Sequence, residues 1–318
     1  MNLTSVKIPG LLLLFLINTW QIKGQDSIVT LKQKEGKLEG SLRLAKTSKK
    51  TPVVLLLAGS GPTDRNGNQY GLENNSLQMI AAALYEQGIS SLRIDKRGIG
   101  ESKDAMKSER SMTIDAFVED AKMWIKFLHK SNSFSKIIVA GHSEGALIAL
   151  LASEKNKAVS GYISIAGAGR SADDIIKEQF SKVPDNVKDI IFPLIDRLKK
   201  GDSISNVPPT LYMLFRPSVQ PYMKSWFRYN PSEEIKKLDM PVLILQGDKD
   251  IQVKTKDAEL LAAASKKSTL RLIQNMNHVL KYCETDEKEK QMEIYDNATM
   301  PLHPDLIKYL SEYMQTFK

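Results

Sequence analysis

Residues 139–151 read VAGHSEGALIALL. An apolar run ends in a glycine, two polar residues flank Ser143, and a second glycine opens another apolar run. The pentapeptide Gly141-His-Ser-Glu-Gly145 has the form G-x-S-x-G, a serine on a sharp strand-to-helix turn. The spacing makes chemical sense: the turn lifts Oγ above a sheet, and the two glycines let strand and helix approach closely. The N–H of the residue after the serine, Glu144, would then lie at a helix N-terminus, where it helps hold an oxyanion. Five residues in a chain with 18 glycines decide nothing alone. The neighbouring segments have to supply the context.

They supply alternation. VVLLLAG (53–59), ISSLRID (89–95), KIIVAG (136–141), AVSGYISIAG (158–167), MPVLILQG (240–247) and STLRLIQN (268–275) read as strands. Most are near-continuous apolar runs, as expected of strands buried on both faces. Helical spacing lies between them at 76–87, 113–130, 146–154 and 254–265, and a last helix spans 303–317. Residues 28–45 alternate in polarity around glycines 36 and 40 and read as an antiparallel hairpin. Strands alternating with helices predict an α/β fold with a mostly parallel, doubly wound sheet and antiparallel N-terminal edge strands. Residues 170–235 break the pattern with helical segments and no strand signal, so a helical lid insertion is expected there.

A serine nucleophile needs a base and an orienting acid, in the order serine, acid, histidine for this elbow. The chain has four histidines. His129 precedes the serine, and His142 is its neighbour inside the elbow and a candidate pocket residue. His278 follows the last strand, where strand ends converge, and is the expected base; His303 is the alternative. The acid comes from QGDKDIQV (246–253). Asp250 lies farther out in the loop and is preferred, with Asp248 read as a turn former. The second oxyanion donor is expected from the glycine loop after an earlier strand, Ala58-Gly-Ser-Gly-Pro62, through the Ser60 N–H, with Gly61 next.

These stretches resemble the α/β-hydrolase superfamily: Gly-His-Ser-Glu-Gly, then Gly-Asp-Lys-Asp at 247–250, then Asn-His at 277–278. GSGPTDRN (59–66), IDKRGIGES (94–102) and FRPSVQPYMKSWFRYNP (215–231) narrow the resemblance to a bacterial carboxylesterase or serine aminopeptidase-like branch. The resemblance implies a Ser143–His278–Asp250 triad, an acyl-enzyme intermediate and no metal or organic cofactor; a small-molecule ester substrate is our own expectation, since the resemblance carries over none. It leaves open ester against peptide bonds, and transfer to an acceptor other than water. Tyr222, Trp226 and Phe227 belong to the densest aromatic cluster and are candidates for lining an acyl pocket, with cap packing as the alternative. The charged pairs Asp64/Arg65 and Asp95/Arg97 read as ion pairs holding loops.

Composition bounds the rest. The 318 residues, 42% hydrophobic and 26% charged, fit one large domain. The net charge of +8 comes from scattered lysines, with no arginine-rich arm, which argues against a nucleic-acid partner. The start, MNLTSVKIPGLLLLFLINTWQIKG, has a basic residue, a short apolar core and a small residue at Gly24. It reads as a secretory signal cleaved near 24–25, leaving no stable membrane span and an exported protein; an uncleaved signal would make it membrane-anchored. Cys283 is the single cysteine, so no internal disulfide forms.

Overall fold

The computed structural model describes residues 25–47 and 49–318; the expected signal segment lies outside them. The strands are β1 (Ser27–Lys32), β2 (Lys37–Arg43), β3 (Thr51–Leu57), β4 (Ser90–Ile94), β5 (Phe134–His142), β6 (Val159–Ile165), β7 (Val242–Gly247) and β8 (Ser268–Ile273). The helices are α1 (Ser76–Glu86), α2 (Ile114–Ser131), α3 (Glu144–Ser153), α4 (Ala172–Gln179), α5 (Asp185–Lys199), α6 (Tyr212–Phe215), α7 (Gln220–Phe227), α8 (Pro231–Glu234), α9 (Thr255–Ala264), α10 (Lys288–Tyr295) and α11 (Pro304–Gln315). All the expected strands and long helices form; α10, a charged stretch with only Gln291 and Tyr295 buried, carries no sequence signal.

One eight-stranded sheet runs β1-β2-β4-β3-β5-β6-β7-β8. β1 and β2 are antiparallel to each other, β2 is antiparallel to β4, and the remaining neighbours are parallel. Residues alternate between the two faces, as the pleat requires. Val53, Leu55 and Leu57 of β3 join one core with Ile114, Phe117 and Trp124 of α2 and with α3. Val54 and Leu56 join the other, with Leu77, Ile80 and Leu84 of α1 and Leu306, Leu310 and Met314 of α11.

The strand order reverses between β3 and β5, and the crevice at such a switch point is where open α/β sheets bind ligands. The segment from α4 to α8, between β6 and β7, holds its own apolar core: Ile191, Ile195, Leu198, Phe215, Met223 and Phe227 among others. It is a helical insertion between two sheet strands. Arg170 ties its start to the sheet domain by donating to Asp257 of α9 (2.7 Å), and Arg228 and Tyr229 both reach Asp115 of α2. Among the described residues no helix is long and apolar enough to cross a membrane.

Candidate active site

Every strand from β3 to β8 delivers a loop to the same sheet edge: Gly59–Gly61 after β3, Lys96 after β4, Ser143 after β5, Arg170 after β6, Asp250 after β7 and His278 after β8. Ser143 sits between β5 and α3 with φ 54° and ψ −122°, a conformation that costs a serine about 1–3 kcal/mol. Its N–H donates to Ile165 O at 2.9 Å, which holds the turn. Both glycines are dictated by close approach. A Cβ on Gly141 would lie 1.9 Å from Gly145 O, and one on Gly145 would lie 2.4 Å from Leu57 O.

His278 Nδ1 lies 2.7 Å from Asp250 Oδ2, and both side chains are buried. Asp250 is held on every side. Its Oδ1 accepts the N–H groups of Gln252 (2.8 Å) and Val253 (2.9 Å), and Gln246 Nε2 donates to Oδ2 at 3.1 Å. Burial pushes its carboxyl up, but the charge and hydrogen bond of His278 and the two backbone donors outweigh it, so the net shift is downward. The ionised Asp250 accepts Nδ1–H, leaving Nε2 as the basic nitrogen of His278. Ser143 and His278 line one cleft.

His142 Nε2 bonds the carbonyl of His278 at 2.8 Å, and the two rings lie 4.8 Å apart. Burial and the neighbouring His278 pull the His142 imidazole down to about 3, so it stays neutral and donates Nε2–H. It buttresses the His278 loop. His303 does not join the cluster: its Nδ1 accepts the Asp305 N–H at the start of α11. Asp248 receives the Asn275 N–H at 2.6 Å, which fits a turn former.

The oxyanion candidates Ser60 and Glu144 flank Ser143 on a common cleft. Glu144 is the first residue of α3, so its N–H has no carbonyl partner within the helix. Ser60 follows Gly59, whose added Cβ would stand 3.3 Å from Ser143 Cβ. Gly61 has φ +69° and turns the loop. The Ser60 carbonyl accepts Thr63 Oγ1 (2.7 Å) and Gln69 Nε2 (3.3 Å), which fixes the loop from the far side.

Lys96 was not singled out by the sequence, because a lysine in a loop ordinarily reads as a solvated charge. It is 7% exposed. Its Nζ donates to Gly59 O at 2.5 Å and to Glu144 Oε1 at 3.2 Å. The hydroxyl of Tyr222, on α7, donates to Glu144 Oε2. One buried cation therefore ties the β3 loop to the head of α3, and one cap tyrosine completes the link. The other charged loop residues pair: Arg65 with Asp95 (2.6 Å) and Glu39 (2.8 Å), and Arg97 with Asp120. Asp64 caps its own turn through Asn66 N and Asn68 N.

The aromatic candidates separate. Trp226 lines the apolar cleft beside Ser143. Tyr222 lines a neighbouring cleft with Gly61 and Lys96 and reaches the site through Glu144. Phe227 is a correction: it is 3% exposed inside the cap core and lines none of the three clefts found around the site, because helical spacing on α7 turns it toward Ile195 and Met223 instead. Among the described residues no cluster of His, Cys, Asp and Glu has the arrangement of a metal site.

This sheet, with a strained serine after β5, a carboxylate after β7 and a histidine after β8, is an α/β-hydrolase fold. Residues 70–210 match the family model described as serine aminopeptidase, S33, a span that includes the elbow and ends before Asp250 and His278. Esterase EstD of Thermotoga maritima is 28% identical over 252 residues, covering 76% of this chain and 58% of EstD, so the chain spans a little over half of that relative's length. Est1E from Butyrivibrio proteoclasticus, solved with ferulic acid bound, superposes with a TM-score of 0.60 at 16% identity, covering 91% of this chain and 98% of Est1E. The Pyrococcus furiosus esterase Pf2001 gives 0.58 at 16% identity, covering 92% and 90%. The chain has the α/β-hydrolase fold, and its similarities are to esterases and to the serine aminopeptidase family.

Proposed function

We propose that this protein is a serine hydrolase that cleaves carboxylic esters through an acyl-enzyme. Ser143 Oγ attacks the ester carbonyl as His278 Nε2 takes its proton. The N–H groups of Ser60 and Glu144 stabilise the tetrahedral oxyanion. His278 then gives the proton to the departing alkoxide, and the C–O bond to the alcohol breaks. Water repeats the sequence on the acyl-Ser143 ester and releases the acid. Asp250 keeps the His278 tautomer and stabilises the imidazolium. The observation that carries this reading is the 2.7 Å contact between His278 and a fully buried Asp250, on the cleft that Ser143 lines. The relatives named as esterases support the bond type.

An aminopeptidase would need a free acidic group to meet the substrate's amine. The acidic side chains lining the three clefts are Glu109, paired with Arg216, and Glu144, paired with Lys96 and Tyr222. That favours esters over N-terminal peptide bonds. Ser143→Ala is expected to abolish both p-nitrophenyl ester turnover, by about 10⁶-fold in kcat, and labelling by a fluorophosphonate. Labelling that persists on the variant removes Ser143 as nucleophile. Turnover of amino-acid anilides without ester turnover would replace the esterase reading with the peptidase one.

A further inference from the structure

Two clefts meet at Ser143, and they differ in chemistry. Ser60, Ser143 and Gln252 line both. His278 lines only the first, a space of about 360 Å³ where Thr63, Gln69, Gln252 and Tyr295 stand beside Leu72 and Met292. Glu144 lines only the second, about 220 Å³, where Leu147, Ile175, Ile176 and Trp226 form most of the wall and Arg170 and Gln179 its polar part. The group that protonates the leaving alkoxide must stand on the leaving-group side of the scissile carbon. The His278 cleft is therefore the alcohol side, and the apolar cleft under the cap is left for the acyl group.

The alcohol side carries unspent acceptors. The Gln69 amide uses its nitrogen on Ser60 O and Thr63 Oγ1, which turns Oε1 away from the loop. The Gln252 nitrogen donates to Tyr295 Oη at 3.2 Å, which again leaves Oε1. Among the described hydrogen bonds neither carbonyl oxygen has a partner, and neither is sealed from solvent. The Tyr295 hydroxyl, accepting from Gln252, keeps its own proton to donate. An alkyl alcohol entering this cleft would strip water from these groups without replacing its hydrogen bonds, whereas an alcohol bearing hydroxyls would replace them.

We propose that the preferred substrate is an ester of a hydroxyl-rich alcohol with a small apolar acid, the hydroxyls bonding Gln69, Gln252 and Tyr295 and the acyl chain lying against Ile175 and Trp226. This rests on the esterase reading above and names its substrate class. The test compares kcat/KM for glyceryl monobutyrate and butyl butyrate on the full chain. The glyceryl ester is expected to be favoured by about tenfold or more, as two or three net hydrogen bonds would give. Gln252→Met and Tyr295→Phe should each lower that ratio about three- to tenfold. A measurement on the unmodified protein covers variants that misfold. With p-nitrophenyl butyrate as acyl donor, the acyl-enzyme should partition to glycerol over equimolar 1-propanol, because the alcohol side accepts as it releases. Equal or reversed ratios for the two esters, equal partitioning, or a glyceryl preference that both folded variants retain would overturn the proposal. Fluorophosphonate labelling of Ser143 separates the two levels. A labelled enzyme with no polyol preference refutes only the substrate class, whereas an unlabelled one refutes the hydrolase reading itself.

Discussion

Lys96→Met removes a charge and leaves an apolar stem of similar length against the ring of Phe117, which Nζ approaches at 5.4 Å. Two partners lose their donor. Glu144, whose side chain has no solvent exposure, keeps only the Tyr222 hydroxyl. Breaking a buried pair by deleting one member typically costs about 3–5 kcal/mol, because the remaining charge stays desolvated. Tyr222 offsets part of that, which puts the expected loss near ~3 kcal/mol. The second partner is Gly59 O, 2.5 Å from Nζ. Its peptide is the one whose N–H, on Ser60, faces the oxyanion in the proposed mechanism. Deleting an oxyanion donor outright costs about 10²–10³ in kcat. Loosening one that remains present should cost less, about tenfold to a hundredfold, with KM little changed because the interaction matters in the transition state. Denaturant unfolding gives the first quantity and steady-state ester kinetics the second. The double variant Lys96→Met/Glu144→Gln divides them. It should recover most of the stability, since the orphaned carboxylate is gone, and little of the kcat, since Gly59 O still lacks its cation. A single variant destabilised by less than about 1 kcal/mol would refute the reasoning on burial, as would a double variant no more stable than the single. Unchanged kcat would refute the link to the oxyanion loop.

Asp250→Asn should fold normally, because the N–H groups of Gln252 and Val253 still meet a side-chain oxygen, yet lose about 10⁴ in kcat as His278 takes the wrong tautomer; activity within tenfold of the parent would contradict the assignment. Lys281 has no solvent exposure and donates to Asn297 O, and burial pulls its ammonium down to about 8. Between that value and 10.5 the unfolded chain binds more protons than the folded one, so denaturant midpoints should rise with pH across this window. Below pH 8 the buried charge is carried at full cost, and Lys281→Met should be more stable there and flatten the rise; a parent and variant with parallel profiles would contradict this. We propose that the expected signal is cleaved near 24–25; on expression in a bacterium, N-terminal sequencing of the mature protein should then begin at Gln25, and a chain that keeps its first residues would contradict cleavage.

Much of the candidate site was legible in the chain because its signals are local. G-x-S-x-G between an apolar strand and an apolar helix, acids two and four residues after a buried strand's last glutamine, and a histidine just past the last strand are short-range patterns. The crowding of Gly141 by Gly145 O is local to the turn, whereas Gly145 meets Leu57 O of β3 and Asp248 bonds Asn275 N–H after β8, contacts that only the assembled sheet makes. Long apolar runs gave away the parallel sheet, since strands covered on both faces tolerate little polarity. The α10 helix escaped because KEKQMEIY presents no apolar stripe, burying only two polar-tipped side chains.

What the sequence determined by itself is therefore the sheet, the elbow and the chain order of the candidate serine, acid and histidine. Tertiary structure decided which side chains surround them. Lys96 and Gln69 look like ordinary loop residues until β3, β4 and β5 bring their ends together. Trp226 and Phe227 are neighbours in sequence, yet one lines a cleft and the other fills the cap core, because adjacent residues on a helix point about 100° apart. The polarity of the two clefts is likewise a property of the assembly. Each is walled by residues from loops far apart in the chain, and no window of sequence brings them together.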